Sequence, residues 1–141
     1  YGAEMRGETA NCTVAIDKDE IASPVASEPD YLVAMNSPSL FTFQNKISSG
    51  GLIFLNSSII KERSKRTDIN ICTIPCVDMA QDIGNSRVAN IIMIGAFIKK
   101  TGIVTPEIYL RSLETILGSK KKSTAEINRR AFTLGFEYLK D

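Results

Sequence analysis

The stretch YLVAMNSPSLFTFQNKISSGGLIFLNSS, residues 31–58, decides the fold. Its two short apolar runs, residues 31–35 and 52–55, are typical of strands that are buried on both faces. Ser37 followed by Pro38 is a helix-start signal, an N-cap and then Pro at the first helical position, and predicts a short helix over residues 39–47. About sixteen residues separate the two runs, enough for the crossover that parallel strands require. The stretch therefore predicts a β-α-β unit.

Polar residues follow both predicted strands. Asn36 ends the first, and Asn56, Ser57 and Ser58 end the second. Because the strands run in the same direction, these residues are expected along one carboxyl edge of the sheet, where open parallel sheets bind ligands. The alternative is that they only cap the strands and satisfy turn backbone.

The rest of the chain supplies further alternating elements. A helix predicted over residues 77–83 is expected to end at Gly84, because glycine readily adopts the backbone conformation that ends a helix. The charged residues 61–66 are interpreted as a solvated connection. The predicted elements are strands at residues 13–16 and 69–74, a polar turn at 17–20 and a helix at 77–83.

The last third is predicted to be helical. Residues 91–98 are apolar on all sides, which indicates a buried helix, and Gly95-Ala96 would let a neighbour approach closely. Thr105-Pro106 starts a second helix, expected to stop at Gly118, and residues 123–126 are a capping box for a third. The second helix is expected to bury Tyr109, Leu113 and Ile116. The third helix is expected to bury one stripe of residues, Ile127, Ala131, Leu134 and Tyr138. The fold class predicted is α/β, a three-layer, mostly parallel, Rossmann-like sheet with helices on both faces.

Composition excludes several kinds of function. The 141 residues include 17 Lys+Arg and 16 Asp+Glu, and this net charge of +1 argues against nucleic acid or an anionic membrane as partner. The absence of histidine excludes catalysis by an imidazole group and every metal site that needs an imidazole ligand. Three cysteines, without a disulfide framework, favour a reducing cytoplasm, and they are too few for a four-thiolate cluster. No apolar run is long enough for a membrane span.

Residues 84–90, GNSRVAN, form the strongest candidate site. Asn85 and Asn90 supply amides at a helix start, and Arg87 offers a donor fork suited to phosphate or carboxylate. The alternative is an elaborate helix cap with a structural arginine. Elsewhere, Cys72 and Cys76 have the wrong spacing for a redox pair and are interpreted as inert thiols, and Lys120–Lys122 as an interhelical turn.

Taken in order, several motifs resemble the gamma subunit of 2-oxoacid:ferredoxin oxidoreductases over essentially the whole chain. Family members begin with a strand and a Gly-rich loop ahead of the YGAE motif, so residues 1–141 are interpreted as a single gamma-type domain, incomplete at its N-terminus. Another chain or the missing segment is expected to cover the sheet there. Glu8 also replaces a second glycine usual in the family. The matching motifs are YGAEMRGETANC (1–12), Ser23-Pro24, GGL (50–52) with Asn56-Ser57, Ile74-Pro75, GNSRVAN (84–90) with Gly95-Ala96, and NRRAF (128–132) with Gly135.

The resemblance implies oxidative decarboxylation of a 2-oxoacid, with coenzyme A receiving the acyl group and ferredoxin or a similar acceptor taking the electrons. It implies that thiamine diphosphate, magnesium and iron-sulfur clusters belong to alpha and beta partners, with a delta subunit as a further candidate. This chain alone is expected to hold no cofactor, no metal and no catalytic residue. Residues expected at the coenzyme A approach, the active-site edge or a subunit contact are Arg6, Asn56, Ser57, Asn85, Arg87 and Asn90.

The loop Met5-Arg6-Gly7 with Thr9-Ala10-Asn11-Cys12 is most similar to the 2-oxoglutarate enzymes of the family. Pyruvate, ketoisovalerate and indolepyruvate remain alternative substrates. A free-standing nucleotide- or coenzyme A-binding α/β module is an alternative of a different class, which would not expose a large apolar patch when isolated.

Overall fold

The computed structural model describes residues 10–21, 28–117 and 121–140. Strands come first along the chain and helices fill its second half, in the order expected. The elements are β1 (Tyr31–Ala34), α1 (Ser37–Phe43), a 3-10 helix (Gln44–Lys46), β2 (Leu52–Asn56), β3 (Asn70–Ile74), α2 (Cys76–Asp82), a second 3-10 helix (Ser86–Val88), α3 (Ala89–Thr101), α4 (Pro106–Leu117) and α5 (Lys122–Tyr138).

The predicted β-α-β unit is confirmed. β1 pairs in parallel with β2, with Tyr31 opposite Leu52 and Ala34 opposite Leu55, and α1 lies between them in sequence. β3 adds on the other side of β2, so the strand order is β1-β2-β3. The α/β class with a parallel sheet is therefore confirmed.

The prediction that both strands are buried on two faces holds only for β2. Ile53, Phe54 and Leu55 are buried, whereas Tyr31 and Val33 are each 40% exposed. The reason is position, because β2 has a neighbour on each side and β1 is an edge strand of the described sheet.

The start of α1 differs from the prediction by one residue. Asn36, not Ser37, is the N-cap, and its Oδ1 accepts a hydrogen bond from the Ser39 N–H at 2.9 Å. Both residue types cap well, and here the Asn36 carboxamide, not the Ser37 hydroxyl, accepts the hydrogen bond from the Ser39 amide. The α-helix ends at Phe43 and continues as a 3-10 helix over Gln44–Lys46.

The described residues form two compact units. The first comprises the described parts of Tyr1–Leu55 and Glu62–Cys72, and the second Asn56–Lys61 and the described parts of Thr73–Asp141. The single-domain assignment to residues 1–141 stays a prediction.

The core of the second unit is the packing of α3 against α5. A Cβ added to Gly95 would lie 2.9 Å from the Phe136 nitrogen, and one added to Gly135 would lie 2.7 Å from the Ile92 carbonyl carbon. Each helix therefore uses a glycine to let the other's backbone approach. The predicted close approach at Gly95 is confirmed.

Three helix predictions need correction. α5 begins at Lys122 with no side-chain cap, so the capping box at residues 123–126 is wrong. Its buried residues are Asn128, Ala131, Phe132 and Gly135, while Tyr138 is exposed. Thr105 does cap α4, since its Oγ1 accepts from the Ile108 N–H at 3.2 Å, but Ile116 is 80% exposed rather than buried. The predicted stop at Gly118 lies outside the described residues.

The predicted strand at residues 13–16 is wrong. These residues carry no regular secondary structure, and Val14 and Ile16 are largely exposed. A strand needs a pairing partner, and none adjoins this segment within the described residues. At the polar residues after it, predicted as a turn, the chain bends at Lys18 and Asp19, where Asp17 Oδ1 accepts from the Lys18 N–H at 2.6 Å. Among the described residues, none of the helices has the length and apolar character needed to cross a bilayer.

Candidate functional site

The carboxyl end of β2 forms a tight turn built on Asn56. Its side chain is fully buried, and its Oδ1 accepts from the Ser58 N–H at 3.2 Å. Its carbonyl oxygen accepts from the Ile60 N–H at 2.9 Å. The prediction of Asn56 as a surface contact residue is therefore wrong, because a buried carboxamide that organises a turn presents no surface.

Ser57 and Ser58 continue this turn and tie it to its neighbours. The Ser57 N–H donates to the Ile74 carbonyl at 3.0 Å, and the Ser57 carbonyl accepts from Lys61 Nζ at 2.9 Å. Ser58 Oγ accepts from the Asp78 N–H in the first turn of α2 at 3.0 Å. Both serines are half-buried, so part of each remains available to a partner.

The GNSRVAN segment is a helix start in which both asparagine side chains accept hydrogen bonds from the backbone. Asn85 Oδ1 accepts from the Arg87 N–H at 3.0 Å and caps the 3-10 helix Ser86–Val88. Asn90 Oδ1 accepts from the Ile91 N–H at 2.9 Å at the beginning of α3. These bonds use the amide oxygens, so the amide N–H₂ groups remain as donors.

Arg87 is the exposed charge of this segment. Within the described ranges, its guanidinium makes no hydrogen bond or ion pair with another side chain or carbonyl, so its donors are available. It lies beside the N-terminal turn of a 13-residue helix, where the macrodipole also favours an anion. Asn56, Ser57, Asn85, Arg87 and Asn90 all belong to the second unit. Arg6 lies outside the described residues.

The cysteines fit inert thiols better than ligands. Cys76 is buried, and burial raises its pKa to about 11, so the thiol stays protonated. Cys72 is half-buried and Cys12 exposed, and none of the three thiols forms a disulfide. Over the part of the chain that the structure describes, no three His, Cys, Asp or Glu side chains cluster as a metal site would require.

The polar cluster around Arg66 was not predicted from the sequence, in which the charged residues 61–66 indicate a solvated connection. Its Nη1 donates to the carbonyls of Gln44 and Ile47, at 2.9 and 2.5 Å. Its Nε and Nη2 pair with the Asp68 carboxylate at 2.9 and 2.6 Å. The spacing Arg-x-Asp is the sequence signal that could have indicated the pair.

Fold and site together define an α/β protein whose parallel strands end in polar turns. Comparison with known proteins identifies its family. The chain belongs to the pyruvate ferredoxin/flavodoxin oxidoreductase family, and its sequence matches that family over residues 1–138.

Two curated relatives show the range of substrates and chain lengths in the family. The 2-oxoglutarate synthase subunit KorC of Methanocaldococcus jannaschii is 32% identical over 144 residues, covering all of this chain and 75% of its own length. The ketoisovalerate oxidoreductase subunit VorA of Methanothermobacter marburgensis is 29% identical over 138 residues, covering 98% of this chain. The matched region is 29% of that longer VorA protein.

A solved structure agrees with the fold. The gamma subunit of a keto/oxoacid ferredoxin oxidoreductase from Geobacter sulfurreducens superposes with a TM-score of 0.69 at 25% identity. The match covers 77% of this chain and 62% of that subunit. The predicted gamma-type family is therefore confirmed, and the chain corresponds to less than two thirds of this relative's length.

Proposed function

We propose that this chain acts as the gamma subunit of a 2-oxoglutarate:ferredoxin oxidoreductase. The family match over residues 1–138, with a 2-oxoglutarate synthase subunit at 32% identity along the whole chain, carries the proposal. The reaction converts a 2-oxoacid, coenzyme A and oxidised ferredoxin into acyl-coenzyme A, CO₂ and reduced ferredoxin.

In this proposal the chain is an accessory subunit. When bound in the partner subunits, thiamine diphosphate with magnesium stabilises the carbanion left by decarboxylation, and iron-sulfur clusters carry the electrons to ferredoxin. The described residues offer no clustered metal ligands and a buried, protonated Cys76, which supports this division of roles. This chain's contribution is then binding and shaping at the edge of the active site.

Arg87 is the residue of this chain best placed for such a contact. Its charge is exposed, its side chain is available, and the amide groups of Asn85 and Asn90 flank it. A guanidinium with neighbouring amide donors suits a phosphate of coenzyme A or a partner's carboxylate. Ser57 is retained as a second candidate contact, and Arg6 remains a candidate from the family motif alone.

Co-purification tests the subunit assignment. The tagged full-length protein is isolated anaerobically from its native host, and the proteins that elute with it are identified by mass. Stoichiometric larger subunits support the assignment. A lone, stable chain contradicts it and favours a free-standing coenzyme A- or nucleotide-binding module.

The role of Arg87 has a matched control within the same unit. Arg87→Ala is expected to weaken assembly or to raise the KM for coenzyme A by roughly 10-fold, the loss of about one charge-assisted contact. Arg130→Ala removes an exposed arginine from α5 and is expected to change neither quantity. Unchanged assembly and KM in Arg87→Ala would show that Arg87 is only part of a helix cap.

A second candidate substrate has its own support. The VorA relative is a ketoisovalerate enzyme subunit at 29% identity, close to the identity of the KorC relative. Substrate selectivity is expected to reside mainly in the thiamine-bearing partners, so a branched-chain 2-oxoacid is the first alternative to test, followed by pyruvate and indolepyruvate.

A further inference from the structure

Asn128 in α5 is a buried polar side chain without a hydrogen-bond partner among the described residues. It is 8% exposed, and within the described ranges its carboxamide makes no hydrogen bond. Buried amides normally have a partner, because an unpaired one costs free energy. Among described side chains that are buried or half-buried, the atom that is both unbonded and sealed from solvent is Gln44 Oε1. The Asn128 amide therefore still opens to solvent, where a ligand can reach it.

Asn128 lies on the face of α5 that packs against α3. The spacing of the buried residues of α5 places them on one face of the helix. These residues are Asn128, Ala131, Phe132 and Gly135. Gly135 on this face meets the backbone of Ile92 in α3. The side chain of Asn128, about two turns earlier, is therefore directed toward the same neighbouring helix.

The two helices run in the same direction, so Asn128 lies near the beginning of α3. Lys99 Nζ lies 5.1 Å from the centre of the Phe136 ring, which places the final turns of both helices side by side. Toward its other end, α5 contacts the 3-10 helix Ser86–Val88, which directly precedes α3. The buried amide of Asn128 is therefore directed at the helix start that carries Arg87.

Hydrogen-bond donors converge on this end of α3. They come from the Arg87 guanidinium, the amide groups of Asn85 and Asn90, and the first-turn N–H groups of a 13-residue helix. The N–H₂ group of Asn128 adds a donor from a second helix. A carboxylate has two oxygens, which one guanidinium fork can bind, whereas a phosphate offers three. The donor set therefore favours a phosphate group.

We propose that Asn128 is a further contact residue of the Arg87 site and that these two side chains bind one phosphate group together. The phosphate supplies the hydrogen bond that the described residues do not give to the buried amide. The inference rests on the Arg87 site of the proposed function, but it depends neither on the identity of the 2-oxoacid nor on the partner subunits.

Titration calorimetry of the full chain with inorganic pyrophosphate tests the site. Asn128→Leu keeps the branched shape of the side chain and removes its donor, so the Kd for pyrophosphate is expected to rise by about 10-fold. The Tm of this variant is expected to equal or exceed that of the wild type, because an apolar group replaces a buried amide that lacks a partner. A purely structural Asn128 predicts the opposite results, a lower Tm and an unchanged Kd.

Two further variants separate binding from folding. Asn128→Asp keeps the shape of the side chain and repels an anion, so it should also raise the Kd. Asn70→Leu makes the same change as Asn128→Leu at an exposed residue of β3, in the first unit, and should leave the Kd unchanged. Combined with Arg87→Ala, Asn128→Leu should raise the Kd by less than the product of the two single effects, because both residues bind the same group.

Competition identifies the source of the phosphate. Displacement of pyrophosphate by coenzyme A but not by pantetheine, which carries no phosphate, would name coenzyme A as the source. Displacement by inorganic phosphate alone would name the free ion. No saturable binding of pyrophosphate to the wild type, or a wild-type Kd in Asn128→Leu, would overturn the proposal. Because the assay uses the chain without partner subunits, its outcome is independent of the co-purification test of the proposed function.

Discussion

Gly135→Ala is expected to destabilise the packing of α3 against α5. The added Cβ would lie 2.7 Å from the Ile92 carbonyl carbon and 3.0 Å from its Cα, against an ordinary contact of at least 3.4 Å. The Ile92 carbonyl oxygen is nearer still, so relief requires the helices to separate by more than the 0.7 Å difference between 3.4 and 2.7 Å, because the obstructing atoms are backbone and have no rotamer to adopt. Overpacking of this kind costs about 3 kcal/mol, and the better helix propensity of Ala returns about 1 kcal/mol. The expected net loss is about 2 kcal/mol.

Thermal unfolding of the purified full chain measures this loss. At ~3 °C per kcal/mol for a chain of this size, Gly135→Ala is expected to lower the Tm by about 6 °C. Thr133→Ala, an exposed position of the same helix, controls for propensity and should leave the Tm unchanged or slightly raised. A Gly135→Ala variant as stable as the Thr133→Ala control would refute the close-approach argument.

Three further predictions concern single groups. The Arg66 guanidinium lowers the pKa of Asp68 from 3.8 to about 2, so the stabilisation from this pair is present above pH 3.8 and is lost as the pH falls toward 2. The Tm difference between wild type and Asp68→Asn should therefore shrink over that interval, and a constant difference would contradict the pairing. Because Cys76 is buried with its pKa raised to about 11, a thiol reagent at pH 8 should label Cys12 in the native chain and label Cys76 only on unfolding, as peptide mass mapping would show. Ile116→Ser should change the free energy of unfolding by less than ~0.5 kcal/mol in denaturant titration, since that side chain is 80% exposed; a loss of ~2 kcal/mol would show that it is buried.

Local patterns predicted the strands and helices that depend on neighbouring residues. The apolar runs, Pro38, and the Thr105-Pro106 helix start each act within a few residues, and the corresponding elements are present. The choice between Asn36 and Ser37 as N-cap was not predictable, because both types cap well and one hydrogen bond decides between them.

Features that depend on distant residues were not predictable. Periodicity identifies Ile116 as part of an apolar helix face but does not show whether a neighbour covers that end of the helix. The strand predicted at residues 13–16 fails for the same reason, because strand formation needs a partner that local pattern cannot supply. Arg66 binds the carbonyls of Gln44 and Ile47, about twenty residues away, which no local spacing indicates.

The local structure around the candidate residues was predicted in part, and their role as a site stays a prediction. The turn after β2 and the GNSRVAN helix start are where the sequence places them, with Arg87 exposed. Asn56, predicted at the surface, is buried because the same carboxamide that marks a strand end also closes the turn.

The most direct test of the central claim is an activity assay on the anaerobically purified assembly that contains this chain. Coenzyme A-dependent reduction of a viologen dye is measured with 2-oxoglutarate, ketoisovalerate, pyruvate and indolepyruvate in turn. The account predicts the highest kcat/KM with 2-oxoglutarate and no reduction without coenzyme A. Activity with a different acid would contradict the substrate assignment, and no activity with any 2-oxoacid would contradict the proposed function itself.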